Sequence, residues 1–278
     1  MRNKFTLFIV LLVSAMLLLA GCGSSSDSAS GSKEDNTFEV GMEAGYAPFN
    51  WTQNDDSNGA VKIKGSSEYA GGYDVEIAKK VAEGLGKELV IVKTEWDGLV
   101  PGLVSGKIDA IIAGMSPTEK RKETIDFSEN YYTSNLVMVV KKGSKFENAT
   151  SIQDFKGAKI TAQLNTFHYS VIDQINGVEK KTAMDNFPAM RVALESGVID
   201  GYVSERPEGV SASTANDKFV MIEFNDGFKT SEEETTTAVG LQKGSDLTEK
   251  INKVLADIPE EERTSMMDNA INNQPAAE

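Results

Sequence analysis

Two short segments of the chain could together bind a carboxylate. Ser116-Pro117-Thr118-Glu119 has the pattern of a capping box, with Ser at the N-cap, Pro at N1 and Glu at N3 of a helix. Arg121 follows just over a turn later, where its guanidinium could bind a carboxylate through two hydrogen bonds. Asn165-Thr166 predicts a second helix start, whose hydroxyl could reach the same anion. The first motif alone favours an ordinary capped helix with a surface arginine, whereas two helix starts at one crevice favour an anion site.

Polar and aromatic residues follow several predicted strands. In open α/β sheets, ligands bind beyond the carboxyl ends of the strands, so these residues are candidate ligand contacts. His168, the only histidine, lies close to the second helix start, and a lone histidine there is expected to be exposed. The strand-end candidates are Glu43, Tyr46, Phe49, Trp51, Gly114, Met115, Ser116, Asn165, Thr166, Ser204 and Glu205.

Strands and amphipathic helices must alternate to position these residues. Phe38, Val40 and Met42 alternate with polar or small neighbours, which predicts a strand. Asp74 is a favourable N-cap for a following helix that Gly84 and Gly86 close. Single helices between strands predict parallel βαβ units and an α/β fold. The other predicted strands cover 88–92, 108–113, 135–141, 159–163, 198–203 and 238–242, and the other helices cover 97–106, 167–175, 188–196 and 247–255.

The N-terminus has the pattern of an export signal. Arg2 and Lys4 precede an apolar run over 5–20 and then small residues, which is typical of a secretory signal peptide over 1–21. A transmembrane helix is the alternative, because the run approaches the shorter spanning lengths. Leu19-Ala20-Gly21-Cys22 resembles the lipobox of bacterial lipoproteins, which implies that Cys22 is diacylated and that residues 22–36, rich in Ser and Gly, form a flexible tether.

The composition excludes several classes of protein. The formal net charge is −14, and removal of Arg2 and Lys4 with the signal peptide changes it to −16 (−14 − 2), so we expect no nucleic-acid partner. The one cysteine leaves no disulfide framework, and one cysteine with one histidine argues against most zinc and Ser–His chemistry. We expect no metal, no cofactor and no catalytic residue.

Several motifs between Gly72 and Tyr132 carry a family resemblance. The chain resembles the family 3 bacterial extracellular solute-binding proteins, which are the polar amino-acid receptors of ABC importers, over nearly all of 37–255. The motifs are Gly72-Tyr73-Asp74-Val75-Glu76, Trp96-Asp97-Gly98-Leu99-Val100-Pro101, Lys107-Ile108-Asp109-Ala110, Ala113-Gly114-Met115-Ser116, Thr118-Glu119-Lys120-Arg121, Ile125-Asp126-Phe127-Ser128 and Tyr131-Tyr132.

The resemblance implies a role for each candidate. Arg121 and Thr166 would hold the ligand α-carboxylate. The Gly114 carbonyl, the Ser116 hydroxyl and Glu205, which replaces the more usual aspartate, would hold the α-ammonium. A zwitterion needs such a cationic fork beside a cluster of acceptors. The remaining positions, which would line the side-chain pocket, are Glu43, Tyr46, Trp51 and Trp96.

The resemblance also implies a type II periplasmic-binding-protein fold. Each of its two lobes would be a mixed, mostly parallel sheet flanked by helices, and two crossings would join them. Lobe 1 would comprise 37–132 and 233–278, and lobe 2 would comprise 135–227. Three departures from the family pattern are Asn165 in place of the usual glycine, an extra polar stretch over 55–68 that we expect to be an exposed loop, and an atypical C-terminus.

The side-chain pocket predicts a cationic ligand. Glu43 with flat aromatic faces suits a guanidinium or ammonium group, which favours arginine, then lysine, ornithine or histidine. The alternative is a neutral, glutamine-sized pocket in which Trp51 packs against the lobe and Trp96 only walls the cleft. The expected partners are a free amino acid, the permease of an ABC importer and, through the lipid, the outer face of the cytoplasmic membrane of a Gram-positive bacterium.

Two other classes of function remain open at this stage. A dehydratase-like enzyme on the same fold would need a general acid or base in the cleft, and no triad or metal set can be assembled. A surface adhesin or sensor would not require the complete zwitterion clamp, so Arg121, Ser116 and Thr166 favour an amino-acid receptor.

Overall fold

The computed structural model describes residues 36–275, which build three β-sheets flanked by helices. The predictions for the signal peptide, for Cys22 and for the tether up to residue 35 lie outside the described residues. The strands are β1 (Thr37–Met42), β2 (Gly45–Tyr46), β3 (Asn50–Gln53), β4 (Val61–Lys62), β5 (Tyr69–Gly71), β6 (Glu88–Lys93), β7 (Ala110–Ile111), β8 (Asp126–Thr133), β9 (Leu136–Lys141), β10 (Lys159–Thr161), β11 (Glu179–Lys180), β12 (Gly201–Glu205), β13 (Phe219–Ile222) and β14 (Thr236–Leu241).

Helices cover both faces of the larger sheets. Three short 3₁₀ helices occupy Ser57–Gly59, Ile152–Phe155 and Ile172–Gln174. None of the helices within 36–275 is long and apolar enough to cross a membrane. The α-helices are α1 (Tyr73–Leu85), α2 (Trp96–Val104), α3 (Glu119–Lys122), α4 (Phe167–Val171), α5 (Phe187–Glu195), α6 (Arg206–Ala215), α7 (Leu247–Ala256) and α8 (Glu260–Asn273).

The first sheet has the strand order β6-β1-β7-β14-β8. β1 pairs in parallel with β6 and β7, as the alternation of strands and helices predicts, whereas β14 runs antiparallel to β7 and β8. Phe38, Val40 and Met42 are fully buried, because β1 is a central strand covered on both faces. The result is a mixed sheet within an α/β fold.

The second sheet repeats this arrangement with the order β11-β10-β12-β9-β13. β10 is parallel to β11 and β12, and β9 is antiparallel to β12 and β13. Its apolar core includes Phe155, Ile160 and Val203. The chain leaves the first sheet after Thr133 and returns to it at Thr236, and the two passages lie side by side because the Ser134 N–H donates to the Thr235 carbonyl at 2.8 Å.

A small antiparallel sheet has the strand order β2-β3-β5-β4 and includes part of the predicted exposed loop over 55–68. The extra stretch over 55–68 is exposed over most of its length, but it is not a loop throughout. Val61 and Lys62 pair with Ala70 and Tyr69, and Ile63 is buried against the first sheet. Alternating apolar and lysine residues over 61–64 give this segment one face to bury.

The C-terminal helix α8 contacts elements on both sides of the crevice between the sheets. Its start is tied to α1 by an ion pair between Lys80 Nζ and Glu262 Oε1 at 2.5 Å. Just past its end, the Gln274 side chain bonds to Ser211 of α6. The buried face of α8 includes Met267. The segment that departs most from the family pattern therefore forms a long helix.

Candidate functional site

The predicted zwitterion clamp lies where the two large sheets face each other. Its residues come from the connections after β1, β6, β7 and β10 and from the end of β12, which is the crevice that the fold class favours for ligands. Seven of the nine predicted ligand contacts line one cavity here, together with three residues that the sequence did not single out for this role. The lining residues are Tyr46, Trp96, Gly114, Ser116, Arg121, Gln163, Thr166, Phe167, His168 and Glu205.

Arg121 is the only arginine among residues 36–275 that lines this cavity, and backbone carbonyls from both sides fix its guanidinium. Nη1 donates to the Ser116 carbonyl at 2.9 Å, and Nη2 donates to the Asn165 carbonyl at 3.3 Å. The guanidinium carbon lies 5.0 Å from the centre of the Trp96 ring, within cation–π range. Burial lowers the pKa of Arg121 to about 10, and the opposing charge of Glu205 limits the shift, so the group stays cationic at neutral pH.

The predicted capping box at Ser116 is wrong. Helix α3 begins at Glu119 with Thr118 at its N-cap, and no side chain caps it. The Ser116 hydroxyl instead donates to the carbonyl of Glu234 on the return passage, at 3.0 Å. The Ser116 hydroxyl therefore makes a tertiary hydrogen bond instead of capping the helix. This bond connects the cavity wall to the return passage between the sheets.

Gly114 brings the backbone close to Tyr46. Its φ of +60° lies in the left-handed region that side chains disfavour. A Cβ added at this position would lie 2.7 Å from Tyr46 Cε1, so only glycine fits. The Gly114 N–H donates to the Tyr131 hydroxyl at 3.1 Å, and this bond orients the peptide at the cavity wall.

Glu205, at the end of β12, is the acidic group of the cavity. It is 3% exposed, so this acid is buried rather than solvated at the surface. Its Oε2 accepts a hydrogen bond from the Tyr46 hydroxyl, and its Oε1 lies 3.4 Å from His168 Nε2. The Tyr46 ring stacks on Phe187 at 4.4 Å between centroids. Tyr46 thus contacts the carboxylate that the resemblance assigns to the ligand ammonium.

The second helix start forms as predicted. Asn165 adopts φ +58°, a left-handed conformation that asparagine tolerates better than most residues. Its side chain donates to Asp97 Oδ1 at 2.8 Å. Thr166 is the N-cap of α4, and its hydroxyl donates to the Gln163 carbonyl at 2.7 Å. Thr166 lines the same cavity as Arg121.

Glu43 and Trp51, the other two predicted contacts, line a neighbouring cavity of about 530 Å³. Gln163 lines the clamp cavity and bonds to the lining of its neighbour, because its Nε2 donates to Glu43 Oε1 at 3.0 Å. Burial and the nearby charges of Glu95 and Asp97 raise the pKa of Glu43 to about 7, against the hydrogen bond from Gln163. The predicted pocket is thus divided: Tyr46 and Trp96 lie at the clamp, and Glu43 and Trp51 lie beyond it.

A buried network supports the clamp from behind. Asp74 is fully buried and accepts hydrogen bonds from Asn50 Nδ2 and the Tyr131 hydroxyl, both at 2.8 Å. Its predicted N-cap role is wrong, because α1 begins one residue earlier with Gly72 at the N-cap. Burial raises the pKa of Asp74 to about 7. The network reaches the cavity through the bond from Gly114 to Tyr131.

Gln163, Phe167 and His168 are cavity residues that the sequence did not assign to the site. His168 is 5% exposed, so the expectation that it lies in solvent is wrong. Neither of its ring nitrogens has a hydrogen-bond partner among residues 36–275. Their position after β10 could have identified all three, because ligands bind beyond the carboxyl ends of the strands. The same rule had selected their neighbours Asn165 and Thr166.

The clamp cavity itself is small. Its volume is about 10 Å³, close to the space that a single water molecule needs. A larger molecule can enter only if residues such as Tyr46 and Glu205, on opposite sides of the crevice, separate. A guanidinium, two hydroxyls, the Gly114 carbonyl and a carboxylate then offer donors for an anionic group beside acceptors for a cationic one.

Comparison with known proteins identifies the family to which the chain belongs. The model of the bacterial extracellular solute-binding proteins, family 3, matches residues 38–270. The arginine-binding extracellular protein ArtP of Bacillus subtilis is 30% identical over 268 residues, which are 90% of this chain and 92% of ArtP. A probable histidine-binding protein of Campylobacter jejuni is 31% identical and covers 76% of this chain and 80% of its own length.

Solved structures show the same fold. An amino acid ABC transporter substrate-binding protein of Streptococcus pneumoniae, bound to L-arginine, superposes with a TM-score of 0.75 and 27% sequence identity. The superposition covers 85% of this chain and 94% of that protein.

Proposed function

The chain belongs to the bacterial extracellular solute-binding proteins of family 3, the amino-acid-binding subunits of ABC transporters, and we propose that it captures a free L-amino acid with a cationic side chain. Members of this family bind and deliver solutes, and the chain is not an enzyme. The proposal covers the ligand, the residues that hold it, the lobes that close on it and the membrane anchor.

The observation that carries the proposal is that Arg121 and Glu205 line the same cavity. A free amino acid is the smallest common metabolite that presents a carboxylate and an ammonium on one carbon. Arg121 and Thr166 would hold its carboxylate, while the Gly114 carbonyl, Ser116 and Glu205 would hold its ammonium. Charge-assisted hydrogen bonds of this kind are roughly twice as strong as neutral ones.

The two large sheets would be the cores of two lobes that close on the ligand. Lobe 1 would comprise 37–132 and 233–278, and lobe 2 would comprise 135–227, with the paired passages at Ser134 and Thr235 as the hinge. Arg121 and Tyr46 belong to the first of these lobes, and Thr166 and Glu205 belong to the second. Ligand bonds to both lobes would therefore stabilise the closed arrangement.

A cationic side chain, from arginine before lysine, fits the acidic lining beyond the clamp. Glu43 is buried with one carboxylate oxygen unpartnered among the described residues, and Trp51 lies beside it on the same cavity. The arginine-binding relative and the arginine-bound neighbour support this choice. A neutral ligand such as glutamine is the second candidate, since the Glu43 carboxyl could also bind an amide in its protonated form.

Export and lipidation complete the proposal. Residues 1–21 would be a signal peptide, Cys22 would carry the lipid, and the Ser- and Gly-rich stretch up to residue 36 would tether the receptor to the outer face of the cytoplasmic membrane, near the permease of its importer. Growth with labelled palmitate would test this part, since Cys22→Ala should abolish labelling and release the protein into the medium.

Calorimetric titration of residues 37–278 against the common amino acids tests the ligand. We expect saturable binding of L-arginine or L-lysine and weaker binding of neutral residues. Binding of glutamine alone would refute the cationic assignment. Retention of wild-type affinity in Arg121→Ala would refute the clamp.

A further inference from the structure

We infer, on the basis of the receptor function proposed above, that Glu43 binds the ligand's side-chain cation in exchange for a proton, so that its charge selects between cationic and neutral ligands. No contact within the zwitterion clamp discriminates between side chains. Discrimination must arise beyond Gln163, a residue of the clamp cavity that bonds to Glu43 in the lining of the larger cavity.

The environment of Glu43 leaves a negative charge there poorly compensated. The residue is 8% exposed, and its Oε1 accepts one hydrogen bond, from the neutral amide of Gln163. Its Oε2 is buried and has no hydrogen-bond partner within 36–275. A buried carboxylate without a cation or further donors favours its protonated form.

The charged groups around Glu43 do not supply that cation. Glu95 and Asp97, from the connection after β6 and the start of α2, face it as like charges. Lys93 lines the larger cavity but donates its ammonium to Thr52 Oγ1 at 3.0 Å. Across the cavity, on α5, Arg191 is paired with Glu208 at 2.8 Å, and Glu195 adds a further acid.

The Gln163 amide occupies the place beside Glu43 that the ligand's side-chain cation would take. This amide spans from Glu43 to the Asp185 carbonyl, at 3.0 and 3.1 Å. A guanidinium or ammonium that extends from the clamp past Gln163 would meet both Glu43 oxygens. The neutral ureido group of citrulline has the same shape as the guanidinium but would accept a hydrogen bond from a protonated Glu43.

The exchange of a proton for the ligand's cation predicts the direction in which arginine affinity changes with pH. Burial and like charge place the pKa of Glu43 near 7, so at pH 6 roughly nine molecules in ten carry the proton. A bound cation stabilises the carboxylate, and the proton leaves to the solvent. Arginine affinity should therefore fall about tenfold per pH unit below 7 and stay level above it.

Calorimetry with arginine and citrulline from pH 5.5 to 8.5, in two buffers of different ionisation enthalpy, tests the exchange. We expect arginine to release close to one proton per molecule bound at pH 6 and almost none at pH 8.5. Citrulline should bind without losing affinity towards low pH. Because citrulline has the same α-carboxylate and α-ammonium, the comparison cancels any pH dependence that arises in the clamp itself.

Two variants complete the design. Glu43→Gln should weaken arginine binding at pH 8 and remove its pH dependence while citrulline binding persists. Glu83→Gln, a matched change at an exposed residue of α1 that lines neither cavity, should retain the dependence. Arginine binding that varies less than twofold between pH 6 and 8 in the wild type, or a parallel loss of citrulline binding, would overturn the exchange and leave the receptor function intact. Binding of neither ligand would overturn the receptor function and the exchange with it.

Discussion

Replacement of Arg121 by lysine changes the clamp while keeping its charge. In the native protein the guanidinium is fixed by carbonyls of Ser116 and Asn165 and by the face of Trp96. Its planar fork can therefore present two parallel N–H groups to a carboxylate. A lysine ammonium is a compact charge on a flexible stem, and it cannot satisfy both carbonyls and both carboxylate oxygens at once.

The expected loss follows from the number of hydrogen bonds. Arg121→Lys removes at least one charge-assisted hydrogen bond to the ligand carboxylate, and such bonds contribute about 1.5–3 kcal/mol. Because about 1.4 kcal/mol corresponds to a tenfold change, the dissociation constant should rise roughly 10- to 150-fold. The overall charge stays the same, and the attraction of that charge to Glu205 remains, so the loss reports the geometry of the fork.

Isothermal calorimetry with L-arginine measures this change, with thermal unfolding as a check on folding. Arg206→Lys is the matched control, because that side chain is half exposed and lies 3.4 Å from Glu223 Oε2, a surface pair of small energetic weight. We expect the control to bind within twofold of the wild type. An Arg121→Lys protein that also bound within twofold would refute the role of the fork.

Three further predictions concern the surroundings of the clamp. Gly114→Ala should weaken arginine binding at least tenfold in calorimetry, because its Cβ would meet Tyr46. Gly143→Ala is the control, since Gly143 has φ +76° and open space around it. This control should lower the unfolding free energy by about 1–2 kcal/mol, as any left-handed residue would, and leave the affinity unchanged. Asp74→Asn should remove a pH dependence of stability. Since the folded-state pKa of Asp74 is raised to about 7 from 3.8, the wild-type unfolding free energy falls by roughly 1 kcal/mol per pH unit between about pH 4 and 7. Urea unfolding at pH 5 and pH 8 should therefore show a smaller fall in the unfolding free energy for the variant than for the wild type. Met267→Ala should lower the unfolding free energy by about 2–5 kcal/mol in urea titrations, because it empties a buried position on α8; a change below 0.5 kcal/mol would mean that α8 is not packed there.

Local patterns in the sequence predicted the elements whose signals are local. The alternation in β1 and the amphipathic periodicity of α1 and α7 are properties of consecutive residues, and these elements form close to their predicted bounds. The edge strand β8 had no such signal, because its exposed polar residues interrupt the apolar pattern. Its place in the sheet depends on pairing with β14, more than 100 residues later.

The candidate site shows the same limit. Ser116 and Asp74 both match helix-capping patterns, yet their side chains bond to Glu234, Asn50 and Tyr131, which are distant in sequence. Spacing could select the strand-end residues but not the direction of each side chain. The division of the predicted pocket between two cavities, and the burial of His168, follow from the way the two sheets face each other.

The affinity of L-arginine relative to agmatine, which has the same guanidinium side chain but no α-carboxylate, tests the zwitterion clamp most directly. Agmatine cannot bond to Arg121 or Thr166, and it would leave a buried cation without its partner. The loss of two charge-assisted hydrogen bonds predicts that arginine binds at least roughly 100-fold more tightly. Equal affinities of the two ligands at pH 8 would contradict the assignment of Arg121 and Thr166 to the ligand carboxylate.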